Sequence, residues 1–116
     1  MKPYLLIADY CGAGDPLCVD TRDNDAVVIL WHEGDFEDRT FVNSSISQYA
    51  EALLIHAELY EEYGSRFGHD ADPYEEGDPA MPADLLTRAA ERFRIADVAA
   101  MNDRAFWKGE LEELAK

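Results

Sequence analysis

The sequence RTFVNSSISQYAEALL, residues 39–54, contains the point at which the pattern of apolar residues changes. Before this stretch the apolar residues fall in short runs bounded by Gly, Asp and Asn, which is typical of strands and turns. After it they recur at helical spacing, and Ser45 followed by Gln48 has the spacing of a capping box that opens a helix. Strands that precede helices in this way predict an α+β fold.

Four strands are predicted in the first part of the chain: Tyr4–Asp9, Leu17–Thr21, Ala26–Glu33 and Arg39–Val42. The third run is rich in β-branched residues, which favours a central place in the sheet. Short segments rich in Gly, Asp, Asn and Pro separate the strands, at 12–16, 22–25 and 34–35. Strands joined by such short loops predict an antiparallel meander.

The rest of the chain is predicted to be mainly helical. A long helix covers 46–64, ends at Gly64 and faces the core with one apolar stripe: Ile46, Tyr49, Ala50, Leu53, Leu54, Ala57 and Tyr60. An acidic loop follows at 65–82. Two or three shorter helices then pack on the sheet over 83–116, and Pro82 suits the first turn of the earliest one, at about 83–94.

Polar residues are expected to cap the later C-terminal elements. Asp97 is placed to cap a short turn, and Asn102 or Asp103 to cap the last helix. In that last helix the inward-facing residues are predicted to be Phe106, Trp107, Leu111 and Leu114. A chain of 116 residues is expected to form one domain, 1–116.

The charge is strongly acidic, with a formal net value of −15. Residues 1–82 carry eighteen acidic and four basic residues, so nearly all of the excess lies there. Such a surface repels nucleic-acid phosphates and anionic lipids and attracts basic proteins. Direct binding to nucleic acid or a membrane is therefore not expected, although an acidic surface can also serve solubility alone.

Three kinds of residue cluster in the sequence could in principle form a metal, phosphate or catalytic site. Gly12 and Gly14 lack the third Gly of a dinucleotide fingerprint and precede a strand, so they are read as a turn. The clustered Asp and Glu residues do not match a calcium loop, and His32, His56 and His69 do not have metal-ligand spacing. The histidines are expected in ordinary surface or rim positions, and no metal or cofactor is expected.

The remaining reactive residue types have structural interpretations. Ser44 and Ser45 stand at a helix start, where capping explains them. Cys11 and Cys18 are expected to be reduced, partly buried thiols. Trp31 and Trp107 are interpreted as core or interface anchors. No catalytic constellation is visible, which favours a binding protein over an enzyme.

Three segments in order, YLLIADYCGAGDPLCVDT from Tyr4, AVVILWHEGD from Ala26 and FVNSSISQYAEALL from Phe41, resemble the SUKH superfamily. This group comprises bacterial immunity proteins and also yeast cell-wall-assembly regulators. The matching positions are Ile7, Gly14, Asp15, Cys18, Asp20, Val27, Val28, Ser44, Ser45, Tyr49 and Leu53. The segment IADVAAMNDRAFWKGELEEL, from Ile95, is similar to the end of a branch found beside polymorphic toxins, with an Asp before a short helix and a Phe-Trp pair.

The resemblance covers residues 4–64 and, more loosely, 95–114. Family members usually begin with a helix and further strands before the strand at Tyr4–Asp9, so a shortened member is expected. The resemblance implies a meander sheet packed on helices. It also implies a protein that neutralises a toxin, often a basic nuclease or deaminase, by binding it. A cytoplasmic location is expected separately, because the sequence shows no signal peptide and no apolar run of transmembrane length.

An acidic rim of the sheet is the predicted contact surface for such a basic partner. Its residues are Asp15, Asp23, Asp25, Glu33, Asp35, Glu37 and Asp38, with Trp31 as an apolar anchor. The alternative interpretation is a scaffold or regulatory adaptor that binds an endogenous partner.

A homodimer is also predicted. The strand Tyr4–Asp9 is apolar and is expected to lack a neighbour on one side, which invites pairing with a second chain. The helical half offers a second route through large apolar residues: Phe93, Ile95, Met101, Phe106, Trp107, Leu111 and Leu114. A monomer whose C-terminal helices cover the sheet edge is the alternative.

Overall fold

The computed structural model describes residues 4–10, 15–30 and 39–116, with the backbone alone at 4–10 and at residue 15. Four strands come first: β1 Tyr4–Tyr10, β2 Asp15–Asp20, β3 Ala26–Leu30 and β4 Arg39–Asn43. Helical elements follow: α1 Ile46–Phe67, α2 Ala83–Ala96, a 3₁₀ helix at Val98–Met101 and α3 Phe106–Leu114. The predicted α+β class, with strands before helices, is confirmed.

The strands form one antiparallel sheet in the order β1-β2-β3-β4, which confirms the predicted meander. In the centre of the sheet Cys18 lies opposite Val28. The turn predicted at 22–25 is present, and Asn24 and Asp25 have positive φ values of 52° and 61°. Asn and Asp tolerate this left-handed conformation, which explains their place in the turn. The turn predicted at 12–16 is shorter than expected, because Asp15 and Pro16 already belong to β2. Residues 12–14 and the turn predicted at 34–35 lie outside the described residues.

β3 lies between β2 and β4, as predicted, and all five of its residues are buried. Successive side chains of a strand point to opposite faces, so burial of all five means that both faces are covered here. One face packs against the helices through Leu17, Val27, Ile29 and Val42. A separate cluster holds Cys18, Val28 and Leu30. Cys18 is a free, buried cysteine, as predicted, and burial raises the pKa of its thiol. Cys11 is outside the described ranges.

The start of α1 was predicted correctly and its end was not. The Gln48 backbone N–H donates to Ser45 Oγ over 3.2 Å, and Ser45 Oγ lies 2.8 Å from Gln48 Oε1. The helix continues past Gly64 to Phe67, and Gly68, with φ 103°, ends it. Gly64 is a buried helical residue, and a Cβ there would lie 2.7 Å from His69 Nδ1. Close approach of the following loop, rather than helix termination, accounts for this glycine.

The prediction of which apolar stripe of α1 faces the core was wrong. The buried residues of α1 are Ala52, Ile55, Leu59, Tyr63 and Gly64. Of the predicted stripe, Tyr49 and Tyr60 pack partly against the core, whereas Ile46, Leu53 and Leu54 are exposed. At about 100° per residue the two stripes lie on roughly opposite sides of the helix. Both have helical spacing, so periodicity alone could not decide between them.

The acidic segment that follows α1 folds back along it. Three short turns occupy it, closed by backbone hydrogen bonds between Gly68 and Ala71, Asp72 and Glu75, and Glu75 and Asp78. Met81 is buried in the core, and the Tyr63 hydroxyl donates to the Pro79 carbonyl oxygen over 2.5 Å. These anchors place the segment in a definite position, and residues 68–82 are called the acidic loop below.

The last helices pack on the sheet largely as predicted. Trp107, Leu111 and Leu114 are buried and Phe106 is half-buried. Asp97 occupies the N-cap position of the 3₁₀ helix, as predicted, although its side chain makes no capping hydrogen bond. The cap predicted for α3 is wrong, because Ala105 rather than Asn102 or Asp103 is its N-cap. The Asp97 carboxylate has partners elsewhere in the fold, as described below.

Three ion pairs join α1 and α2 along their exposed sides. Arg66 pairs with Asp84, Arg88 with Glu62, and Arg92 with Glu58. In successive ion pairs the residue number rises along one helix as it falls along the other, so the two helices are antiparallel. Among the described residues, no helix combines the length and the apolar character needed to cross a membrane.

Candidate partner-binding surface

The turn between β2 and β3 presents two of the predicted partner-binding residues, Asp23 and Asp25. The Asp20 carbonyl oxygen accepts hydrogen bonds from the backbone N–H groups of both, each over 3.1 Å. Asp25 is exposed and, within the described residues, has no ion-pair partner. The turn therefore holds at least one unneutralised carboxylate in a fixed position at the end of the sheet.

Beside this turn, the carboxylate of Asp20 is neutralised inside the protein. Its side chain is 2% exposed, it accepts from the Arg22 backbone N–H over 3.0 Å, and it forms an ion pair with Arg39. A second guanidinium nitrogen of Arg39 lies 3.4 Å from Asp23 Oδ2. A buried carboxylate needs such partners because its desolvation is unfavourable. Asp20 thus stabilises the turn and is not available to a partner protein.

The predicted site residues divide between the two ends of β2. Asp15 begins the strand, opposite Tyr10 of β1, and Asp23 and Asp25 follow its other end. A six-residue strand rises about 17–20 Å, so Asp15 lies far from the turn that bears the other two. The remaining predicted residues, Trp31, Glu33, Asp35, Glu37 and Asp38, lie outside the described residues, as does His32.

A second set of carboxylates lies on the helical half and was not among the predicted site residues. The acidic loop carries Asp70, Asp72, Glu75, Glu76 and Asp78, all exposed, and contains no Lys or Arg. On α1, Glu58 and Glu62 have arginine partners on α2, whereas Glu51 and Glu61 have no ion-pair partner among the described residues. The charge count of the sequence signalled this surface, but only the fold shows which acids remain unpaired.

A buried polar network fixes the sheet to the C-terminal helices. Asn43 Nδ2 donates to Asp97 Oδ2 over 3.0 Å, and Trp107 Nε1 donates to Asn43 Oδ1 over 2.8 Å. Ser44 donates to the same carboxylate twice, from its backbone N–H over 2.7 Å and from its hydroxyl over 2.8 Å. The buried polar groups of four residues from distant parts of the sequence therefore all have hydrogen-bond partners within one network. Sequence reasoning missed this role, although Ser44, Asp97 and the Phe-Trp pair carried the resemblance.

Comparison with known protein families supports the resemblance to the SUKH superfamily that the sequence showed. The SUKH-4 immunity protein family matches residues 1–113. This chain belongs to the SUKH-4 immunity protein family. No curated protein and no solved structure matches it. The SUKH resemblance of the sequence is thereby confirmed, and it spans both segments that the Asn43–Asp97 network joins.

An aromatic cluster surrounds His56 in the SUKH-4 fold. The His56 ring centroid lies 4.8 Å from that of Tyr60 and 5.5 Å from that of Trp107, which in turn stacks on Phe93 at 5.1 Å. Burial lowers the pKa of the His56 imidazole, so the neutral ring is favoured in the folded protein. The half-buried position agrees with the predicted rim location, and Trp107 is the core anchor that was predicted. His69 is exposed and lies against Gly64.

The SUKH-4 protein also has an open cleft of about 370 Å³ beside β4. Its lining residues are Arg39, Phe41, Ala99, Asn102, Asp103, Arg104 and Ala105. The one carboxylate, two guanidinium groups and an aromatic ring offer contacts for a partner side chain. Across the described residues, no group of three or more His, Cys, Asp or Glu side chains is arranged to hold a metal ion.

Proposed function

We propose that this SUKH-4 protein acts by binding a basic toxin domain and covering the surface that the toxin uses on its substrate. The observation that carries the proposal is the set of carboxylates that the fold leaves without ion-pair partners on the described surface. They are Asp25, Glu51, Glu61, Asp70, Asp72, Glu75, Glu76, Asp78 and Glu112. The family relationship over residues 1–113 supports an immunity function.

The proposed mechanism is electrostatic steering followed by steric occlusion. Nuclease and deaminase domains bind nucleic-acid phosphates, so their substrate grooves carry Lys and Arg. Carboxylates held on rigid turns and helices attract such grooves and raise the association rate. The protein needs no catalytic group for this action, and it works in the cytoplasm, where the toxin reaches its substrate.

The predicted contact residues of the sheet remain part of the proposal. They are Asp15, Asp23, Asp25, Trp31, Glu33, Asp35, Glu37 and Asp38. Asp23 and Asp25 are the members whose side chains the structure describes, and their turn is rigidly bonded to Asp20. Conversion of Asp25 to Asn removes charge and keeps a residue that tolerates the positive φ.

Binding to the toxin domain encoded beside this chain tests the function. The association rate with a catalytically inactive form of that domain is expected to fall at least about tenfold between about 50 mM and about 300 mM salt. Asp25→Asn should lower the rate at low salt and leave thermal stability unchanged. Absence of binding at low salt would exclude the proposed function.

We also propose that the protein forms a homodimer through β1. The sheet order places β1 at one edge, where it pairs with β2 in the described part of the chain. The alternative route through helical apolar residues is weakened, because Phe93, Trp107, Leu111 and Leu114 are buried in the protein's own core. Light scattering should give twice the chain mass of 13.1 kDa; a mass of one chain at micromolar concentration would contradict the dimer.

A further inference from the structure

The side of α1 that faces away from the core carries an uninterrupted row of apolar residues. Ile46, Ala50, Leu53, Leu54 and Ala57 recur at helical spacing and are all exposed. The exposed fractions are 56% for Ile46, 45% for Leu53 and 56% for Leu54. These five residues are called the α1 outer stripe, and over three turns of helix they extend about 17 Å.

The α1 outer stripe continues onto α2 through Ile95. The antiparallel ion pairs of Glu58 with Arg92 and of Glu62 with Arg88 define which turns of the two helices lie side by side. Ile95 follows Arg92 by three residues, and Gln48 Nε2 donates to the carbonyl oxygen of the adjacent Ala96 over 3.2 Å, so Ile95 lies level with the first turns of α1, where the outer stripe begins. Ile95 is 78% exposed. The exposed residue of α2 beside the start of the α1 outer stripe is therefore apolar.

This arrangement is unusual for a helix face that contacts only water. A solvated face normally carries charged and polar residues, and contiguous exposed apolar groups mark interaction sites. α1 already has a complete buried face in Ala52, Ile55, Leu59 and Tyr63. The core therefore does not require the outer stripe, so its apolar character points to a partner.

Charge decides the kind of partner. From Ile46 to Ser65 the helix has four glutamates and no Lys or Arg. Glu51 lies one turn before Leu54, and Glu61 lies one turn beyond Ala57, both without ion-pair partners in the described part of the chain. A second copy would place glutamates against glutamates in a protein of net charge −15. A basic domain with an apolar centre would be attracted instead.

We propose that the α1 outer stripe, with Ile95, is the apolar centre of the surface that docks the basic toxin domain, and that Glu51 and Glu61 form its charged rim. This inference rests on the proposed function and assigns it a location on the helical half. Apolar residues at the centre of an interface govern how long a complex lasts, whereas rim charges mainly govern how fast it forms. The two sets of residues therefore have separable kinetic effects.

The test uses the whole chain and a catalytically inactive form of the toxin domain encoded beside it, with association and dissociation rates measured by surface plasmon resonance. The double variant Leu53→Gln/Leu54→Gln is expected to raise the dissociation rate about 10- to 100-fold and to change the association rate by less than about threefold. Glu51→Gln/Glu61→Gln is expected to slow association at low salt and to leave dissociation nearly unchanged.

Phe67→Gln is the matched control. Phe67 is a large apolar residue of the same helix, 41% exposed, and lies nearly three turns beyond the stripe. Its substitution should leave both rates unchanged. Because Leu53 and Leu54 are exposed, their double variant should also keep the wild-type melting temperature, which separates lost binding from unfolding.

The outcomes distinguish failure of this docking site from failure of the proposed toxin-binding function. Wild-type binding with no effect of Leu53→Gln/Leu54→Gln would overturn the location and leave the proposed function standing. No binding by the wild-type chain at low salt would overturn both. Conversion of a wild-type dimer to a monomer by the same double variant would identify the stripe as a contact between copies and would also overturn the inference.

Discussion

Trp107 donates its indole N–H to the side-chain oxygen of Asn43 over 2.8 Å, and this bond links the last helix to the last strand. The amide nitrogen of Asn43 donates to Asp97 over 3.0 Å. The buried side chain of Asn43 thus accepts from the Trp107 indole in α3 and donates to the Asp97 carboxylate, which directly follows α2. Removal of either group would leave a buried polar atom without a partner, which is unfavourable.

Asn43→Leu is expected to lower the free energy of unfolding by about 2–4 kcal/mol, because Trp107 and Asp97 both lose a buried partner. Ser44→Ala is the milder comparison, since its backbone N–H still donates to Asp97, and a loss of about 1 kcal/mol is expected. Urea unfolding measures both values. An Asn43→Leu variant as stable as Ser44→Ala would contradict the importance of the network.

Gly64 and His69 are expected to be energetically coupled. Alanine in a helix interior is favoured over glycine by about 0.5–1 kcal/mol, but a Cβ at position 64 would lie 2.7 Å from His69 Nδ1. Gly64→Ala should therefore stabilise the protein fully only when His69→Ala is also present. A double-mutant cycle measures the coupling, and equal effects of Gly64→Ala in both backgrounds would rule it out.

His56 should make stability depend on pH. Burial holds the pKa of the folded imidazole below its ordinary value of 6.5, so the unfolded chain binds a proton more readily than the folded protein. Stability is therefore retained above about pH 6.5 and is lost as the pH falls below it, until the folded ring is also protonated.

The experiment compares the wild type with His56→Phe, which keeps an aromatic ring beside Tyr60 and Trp107 and removes the titration. Denaturant unfolding at about pH 7.5 and about pH 5.5 should show a larger loss for the wild type. Both proteins share all other ionisable groups. An equal pH dependence in the two proteins would exclude His56 as its source.

Two arginines that both remain partly exposed, Arg39 at 39% and Arg88 at 54%, should contribute unequally to stability. Arg88 and its partner Glu62 are both substantially exposed, so Arg88→Met is expected to reduce the free energy of unfolding by less than about 1 kcal/mol. Arg39 neutralises Asp20, whose side chain is 2% exposed, so Arg39→Met should reduce it by about 3 kcal/mol.

Salt offers a second measurement of the same contrast. About 0.5 M salt should screen the Arg88 effect and leave most of the Arg39 effect, because the Asp20 carboxylate is shielded from solvent ions. Similar losses for the two variants at both salt concentrations would show that burial of Asp20 is not what distinguishes them.

The sequence predicted that the candidate surface is acidic, but it predicted the positions of only some of its residues. The Asp and Asn residues at 22–25 predicted a turn, and the structure places Asp23 and Asp25 there. Asp20 was placed in the predicted strand Leu17–Thr21 and was not among the predicted contact residues, but nothing in the sequence indicated that its carboxylate is buried. Asp20 is internal because it lies within β2 and meets Arg39, a contact across nineteen residues of sequence.

The sequence by itself determined the order of strands and helices, the meander and the start of α1 at Ser45. Each of these depends on neighbours within a few residues, such as the hydrogen bond between Ser45 and the Gln48 N–H. The tertiary structure alone decided which side of α1 is buried, where that helix ends and which partners Asp97 has. Both sides of α1 have apolar residues at helical spacing, and the choice between them follows from packing against the sheet and α2.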